Sequence, residues 1–158
     1  MEYEQLGNTG IQVPEIGLGT WAYTGGEEPL HRGVNLGAFL IDTAESYGTE
    51  EAVGRAIRGI RSRVLLATKV SPEHFRREDL LRAADQSLKL LGSDYIDLYQ
   101  LHWPNFSTPI EETMGAMESL VEAGKVRFIG VSNFSVEQMK AAQSALSKAR
   151  IVSNQVEY

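Results

Sequence analysis

The chain has 158 residues, 42% apolar and 23% charged, a length and balance that suit one globular domain with a sizeable core and exclude an extended disordered one. It has no cysteine, which excludes disulfide frameworks and thiolate chemistry, and with three histidines no metal site is expected. A net charge of −6 opposes nucleic-acid binding, no run of about 18 apolar residues could span a membrane, and the start "MEYEQLG" lacks the order of a signal peptide, so a cytoplasmic protein is expected.

At the start of the chain, "EYEQLGNTGIQVPEI" alternates around a "GNTG" turn and predicts a small antiparallel hairpin. Apolar runs of strand length follow at 15–20, 38–44, 64–70, 95–103, 126–132 and 151–158, separated by helix-period stretches. The first run holds "IGLGTWA", where Gly17, Gly19 and Ala22, with Asp42 further on, have the spacing of a dinucleotide fingerprint. Such a fingerprint needs a helix that begins inside the glycine motif, whereas Gly25, Gly26 and Pro29 place the helix start near Glu28. The glycines are instead expected to permit close backbone approach at a strand end.

The first helix is expected to end at Leu36, before Gly37. Leu81, Ala84, Leu88 and Leu91 then share one helical face ahead of Gly92. "TPIEE" predicts a helix with Thr108 as N-cap, Pro109 at the first helical position and Glu111 closing a capping box, ending at Gly124; "SVEQ" repeats the box with Ser135 and Gln138. Met114 and Met117, at helical spacing with Leu120 and Val121, read as core. The basic clusters "RGIRSR" and "FRRED" sit beside helix ends, where solvated arginine is ordinary.

Alternating strands and helices with buried apolar strands call for a parallel sheet with right-handed crossovers, doubly wound or closed into a barrel. In a barrel the reactive groups gather at the C-terminal strand ends. Asp42, Lys69 and His102 lie there and Tyr47 in the loop after Asp42, so all four are expected at one mouth. Parity places Leu40, Leu65, Ala67, Ile96 and Leu98 inside beneath them, and Phe39, Ile41, Val64, Leu66, Tyr99 and Leu101 against the helices. Singly, each of the four favours an ordinary structural reading: Lys69 as a solvated charge, Asp42 as a turn or cap residue, His102 as merely buried.

Taken together and in order, "GLGTW", "IDTAESYG", "ATKVSPEHF", "DYIDLYQLHWP", "EETMGAMESLVEAGKVRFIGVSNFS" and "NQVEY" resemble the aldo-keto reductase family over nearly the whole chain. The resemblance implies an α/β fold of the (β/α)8 TIM-barrel type and an extended nicotinamide cofactor at its mouth, NADPH rather than NADH. It also implies an oxidoreductase that reduces an aldehyde or ketone to an alcohol. Asp42, Tyr47, Lys69 and His102 match the catalytic tetrad, and Ser132, Asn133 and Gln155 match the groups that hold the nicotinamide carboxamide. Thr20 and Trp21 match positions beside the cofactor ribose and substrate, with Asp42 also on the cofactor side. Trp21, Tyr47, His102 and Trp103 would line the substrate pocket.

The implied chemistry is physically reasonable. A carbonyl that accepts hydride needs a proton, and a tyrosine whose ordinary pKa is near 10 yields one more readily beside an ammonium that stabilises its phenolate. Lys69 would supply that charge, Asp42 would hold Lys69, and His102 would orient the carbonyl oxygen.

Measured against such a barrel the sequence reaches only the sixth strand. The expectation is one incomplete domain over 1–158, truncated before the last two βα units. In the family those units carry the aromatic residue that stacks on the nicotinamide and the groups that hold its phosphates. Two unpaired sheet edges would then favour self-association. The alternative to an enzyme is a non-catalytic fragment or interaction module that keeps the fold.

Overall fold

In a computed structural model, which describes residues 1–157, the chain opens with the antiparallel hairpin β1 (Tyr3–Gln5) and β2 (Gln12–Pro14). Six strands follow: β3 (Leu18–Gly19), β4 (Leu40–Asp42), β5 (Leu65–Val70), β6 (Ile96–Leu101), β7 (Val126–Ser132) and β8 (Ile151–Gln155). They are parallel and neighbour one another in sequence order, the topology that successive right-handed crossovers produce. Between them run α1 (Glu28–Asn35), α2 (Glu50–Ile57), α3 (Arg77–Leu91), α4 (Ile110–Glu122) and α5 (Val136–Ser144). The last expected strand extends to Tyr158, which lies outside the described residues.

The sheet is curled. Between β4 and β8 lie three strands, so a flat sheet would hold them about 19 Å apart at the usual strand spacing. Yet Gln155 at the end of β8 reaches Asp42 at the end of β4, with Nε2 donating to Oδ2 over 3.3 Å. At the opposite end the hairpin bridges the same two strands: Tyr3 stacks on Phe39, with ring centroids 5.9 Å apart, and a Cβ on Gly7 would stand 2.8 Å from the Val152 carbonyl oxygen.

The outer face of the sheet carries the apolar core. Ile41, Leu66, Tyr99, Leu101, Ile129 and Val131 pack there against Leu80, Ala84 and Leu91 of α3 and Met114, Met117 and Leu120 of α4, all essentially without solvent contact. Burying a side chain of this size contributes about 1.5–3 kcal/mol. The expected inner residues Leu65, Ala67 and Leu98 stay out of this cluster, as parity requires. Ile96 does not: it joins the helix-side core with Val126, its cross-strand partner, so the alternation slips over the first residues of β6 and β7.

Three local expectations need correction. The buried face of α3 runs through Leu80, Ala83, Ala84, Ser87 and Leu91, and Leu81 and Leu88 flank it. Helix α4 begins at Ile110, because Pro109 takes an extended ψ of 132° and is itself the cap; Thr108 is buried and makes no capping bond, so that box is out of frame by one residue. The box at Ser135 and Gln138 does form. Finally, Arg61 is not a solvated helix-end charge: it binds Asp97 at 2.7 Å and the Val64 and Tyr95 carbonyls at 2.9 Å each, tying the start of β5 to that of β6.

No glycine fingerprint forms. Helix α1 starts at Glu28, well beyond the "GLG" stretch. A Cβ on Gly17 would meet Leu40 at 3.3 Å, the expected close approach, whereas Gly19 has open space beside it.

Candidate active site

Adjacent strand ends bring the charged pair together. Asp42 closes β4 and Lys69 lies one residue before the end of β5, so an inward lysine leans across the shared ladder toward the carboxylate. Its Nζ donates to both Asp42 oxygens, at 2.9 and 2.7 Å, and to the Thr43 carbonyl at 2.9 Å. The lysine side chain is 1% exposed and the aspartate 18%. Burial pushes the Lys69 ammonium below its ordinary pKa, and the Asp42 charge opposes that shift.

Tyr47 hangs over this pair from a 3₁₀ turn at Glu45–Tyr47, closed by Gly48 in the left-handed region at φ 67°. Glu45 anchors the turn: one carboxylate oxygen accepts from the Ser71 amide at 2.9 Å and the other lies 2.7 Å from His74 Nδ1. The Lys69 Nζ sits 5.0 Å from the Tyr47 ring centre, and the His102 ring meets that ring edge-on at 5.4 Å. Ser46 Oγ stands 3.4 Å from His102 Nδ1.

The expected lowering of the Tyr47 pKa does not occur in this arrangement. Desolvation first, and the Asp42 charge second, hold the phenol above its ordinary value. The ammonium faces the ring, and its hydrogen bonds go to Asp42 and Thr43 and not to the phenol. His102 moves the other way, its imidazolium disfavoured by burial and then by Lys69.

Across the mouth, β7 and β8 bring Ser132, Asn133 and Gln155 together. Ser132 Oγ donates to the Gln155 carbonyl at 2.9 Å. Asn133 adopts φ 61°, a left-handed conformation that asparagine tolerates better than most residues, and its Nδ2 donates to the His102 carbonyl at 3.2 Å and to Ser132 Oγ at 2.9 Å. Trp21, Ser46, Tyr47, Lys69, His102 and Trp103 share a cavity of about 610 Å³ with these three. Trp21 and Trp103 are 78% and 52% exposed and stand at its rim. Thr20 is not at the surface: fully buried, it donates to the Asp42 carbonyl at 3.1 Å and touches Thr49 Oγ1 at 3.0 Å, supporting β4 from behind.

The structure adds Glu45, Ser46 and Gln100 to the residues expected from the sequence. Glu45 and Ser46 stand inside "IDTAESYG", beside Asp42 and Tyr47. Gln100 carried a signal of its own, a polar amide in the middle of an apolar strand.

The donor set suits the nicotinamide end of a dinucleotide, because amides and hydroxyls converge beside a proton-bearing phenol. Among the described residues that line the cavity, Lys69 is the one fixed cation, and Asp42 already holds it. These residues therefore offer no charge for phosphates.

Residues 15–158 match the family described as the Aldo/keto reductase family. The chain is 45% identical over 162 residues to the aldo-keto reductase YhdN of Bacillus subtilis, covering 88% of this chain and 49% of the relative. It is 39% identical over 159 residues to the methylglyoxal reductase YeaE of Escherichia coli, covering 94% and 55%. The crystal structure of an aldo-keto reductase from Klebsiella pneumoniae in complex with NADPH superposes with a TM-score of 0.90 at 42% identity, over all of this chain and 59% of that one. The chain thus spans about half the length of the curated relatives it matches.

Proposed function

The chain belongs to the aldo/keto reductase family, and from that premise we propose that it supplies the acid–base half of a carbonyl reductase, reducing a small aldehyde or ketone with NADPH. Its six strands are read as the first six of a (β/α)8 barrel. The observation that carries the proposal is the fully buried Lys69 ammonium, clamped by Asp42 directly against the Tyr47 ring, with His102 on the ring's edge. A buried lysine paired in this way is costly to keep, and its position under a half-buried tyrosine gives it a use.

Bound at the mouth, the nicotinamide nucleotide would supply hydride to the carbonyl carbon. Tyr47 would hold the proton that the carbonyl oxygen needs, and desolvation, then the Asp42 charge, favour its protonated form. When the proton leaves, the Lys69 ammonium, 5.0 Å from the ring centre, would stabilise the phenolate, and Asp42 holds Lys69 in place. Burial and then Lys69 disfavour the charged form of His102, and its imidazole N–H can direct the carbonyl oxygen toward Tyr47. Ser132, Asn133 and Gln155 would hold the carboxamide. Asn133 spends its amide hydrogens on His102 and Ser132, which leaves Oδ1 as an acceptor for the ligand's amide. Trp21 and Trp103 would form apolar walls for the substrate. That the Klebsiella neighbour is in complex with NADPH and the Escherichia coli relative is a methylglyoxal reductase supports both the nucleotide and a small carbonyl substrate.

The test is the loss of NADPH absorbance with a simple aromatic aldehyde, for the chain and its Tyr47→Phe variant side by side. Removal of a general acid is expected to cut turnover about 10²- to 10⁴-fold. Undiminished turnover in the variant would refute the assignment.

A further inference from the structure

One buried polar side chain of the inward face has no part in the site so far. Gln100, in the middle of β6, is 1% exposed, and its cross-strand row runs Lys69, Gln100, Gly130, Ser153 over β5 to β8. An amide buried to this degree is costly unless partnered. Its partners lie on β8: Nε2 donates to Gln155 Oε1 at 3.1 Å, and Oε1 accepts from the Ser153 hydroxyl at 3.3 Å.

Strand β7 stands between these groups, and its inward residue is Gly130. A Cβ there would lie 2.5 Å from Ser153 Oγ and 2.9 Å from Gln100 Cγ. The side chain that glycine lacks is the space through which β6 and β8 bond to each other. Gln155 extends the chain of bonds, since its Nε2 donates to Asp42 Oδ2 at 3.3 Å.

The direction of every link follows from Asp42. Ionised against Lys69, its carboxylate can only accept. Gln155 must therefore present its NH₂ to Asp42 and its Oε1 to Gln100; Gln100 must present its own NH₂ to Gln155 and its Oε1 to the Ser153 hydroxyl. Turning either amide over would set donor against donor or oxygen against oxygen.

We infer that Gln100 is a positioning residue, which with the gap at Gly130 fixes the Gln155 amide in the orientation that donates to Asp42. On the function proposed above, this same fixed amide receives the nicotinamide carboxamide. It acts through Gln155 and touches no reacting atom.

The test is Gln100→Leu in the 158-residue chain, a substitution of similar size that deletes both hydrogen bonds. Hydrogen exchange of the Gln155 side-chain amide, followed by NMR, is expected to quicken about fivefold or more, the change that loss of one net hydrogen bond gives. The backbone amides of β6 should keep their rates, which a merely structural role would not allow. NADPH, titrated by quenching of tryptophan fluorescence, is expected to bind about fivefold or more weakly to the variant on the same ground. Unchanged Gln155 exchange overturns the positioning role whether or not the chain turns over. Quickened exchange, with a parent chain that binds no NADPH, upholds the positioning role and counts against the proposed function. If Gln100→Leu does not fold, Ser153→Ala on the edge strand removes the donor to Gln100 Oε1, and the same exchange measurement decides.

Discussion

Replacing Lys69 by methionine should cost the protein about 3 kcal/mol, because removing one partner of a buried ion pair typically costs about 3–5 kcal/mol. The structure places the loss at the lower end. Asp42 keeps 18% exposure and the Gln155 hydrogen bond, so it is not stranded without solvation. Burial already works against the Lys69 charge, so part of its attraction to Asp42 is offset in the parent. Methionine is of similar length, which keeps the cavity contribution small, while the Thr43 carbonyl loses its donor at about 1 kcal/mol. Urea unfolding would read this as a lower midpoint at unchanged slope, and for a chain of this size the melting temperature should fall by roughly 6–12 °C. Combining Lys69→Met with Asp42→Asn should lose less than the sum of the single changes, by about 1 kcal/mol or more. A loss below about 1 kcal/mol for Lys69→Met would refute the reasoning, since it would mean that the pair is solvated rather than buried.

Three further outcomes follow from the same geometry. His102 should titrate below the ordinary histidine value of 6.5, and because its folded pKa is depressed, its contribution to stability is whole above 6.5 and lost as pH falls through the window beneath it. NMR titration checks this, and Lys69→Met should restore only the smaller part of the shift, burial being the larger cause. Glu118 accepts the backbone amides of Ser147, Lys148 and Ala149 and is held at about 2 against an ordinary 4.5, so its contribution is present above 4.5 and disappears toward pH 2. The melting temperatures of the parent and Glu118→Gln should differ most above pH 4.5 and converge near 2, with the gap kept modest by solvent screening. Gly54→Ala should destabilise by about 1–3 kcal/mol despite the better helix propensity of alanine, because a Cβ there would stand 2.5 Å from the Leu90 carbonyl oxygen and α3 cannot yield; a raised melting temperature would contradict this.

Much of this structure was legible in the sequence because the signals are local. Six strands and the shared parity of Asp42, Lys69 and His102 follow from apolar runs of strand length, turn glycines and the two-residue strand period, whereas the sequential strand order comes from the family resemblance. The misreadings occur where one local rule competes with another. Pro109 satisfies the preference for the first helical position equally well as a cap with extended ψ, and the sequence holds no sign of which frame wins. Ile96 departs from parity because the first residues of β6 and β7 turn together toward the helices, a property of two paired strands and not of either alone. The Tyr47 pKa departs from expectation for a different reason: the sequence shows an ammonium, but its commitment to Asp42 and Thr43, and its place over the ring face, depend on the fold.

The same distinction separates Gln100 from its neighbours. Asp42, Lys69 and His102 are conspicuous because charged or basic groups close apolar strands. Gln100 has meaning only with Gly130 and Ser153 beside it, on strands that follow it by dozens of residues. Through that row the two sides of the mouth share one carboxylate: Asp42 accepts from Lys69 on the β5 side and from Gln155 on the β8 side. The sheet must curl to make the second bond, whereas the first spans adjacent strands. A change that flattens the curl would therefore break the Gln155 bond and leave the lysine pair intact. The lysine–aspartate pair is local to β4 and β5, whereas the hydrogen bond from Gln155 to Asp42 depends on the closure of the sheet.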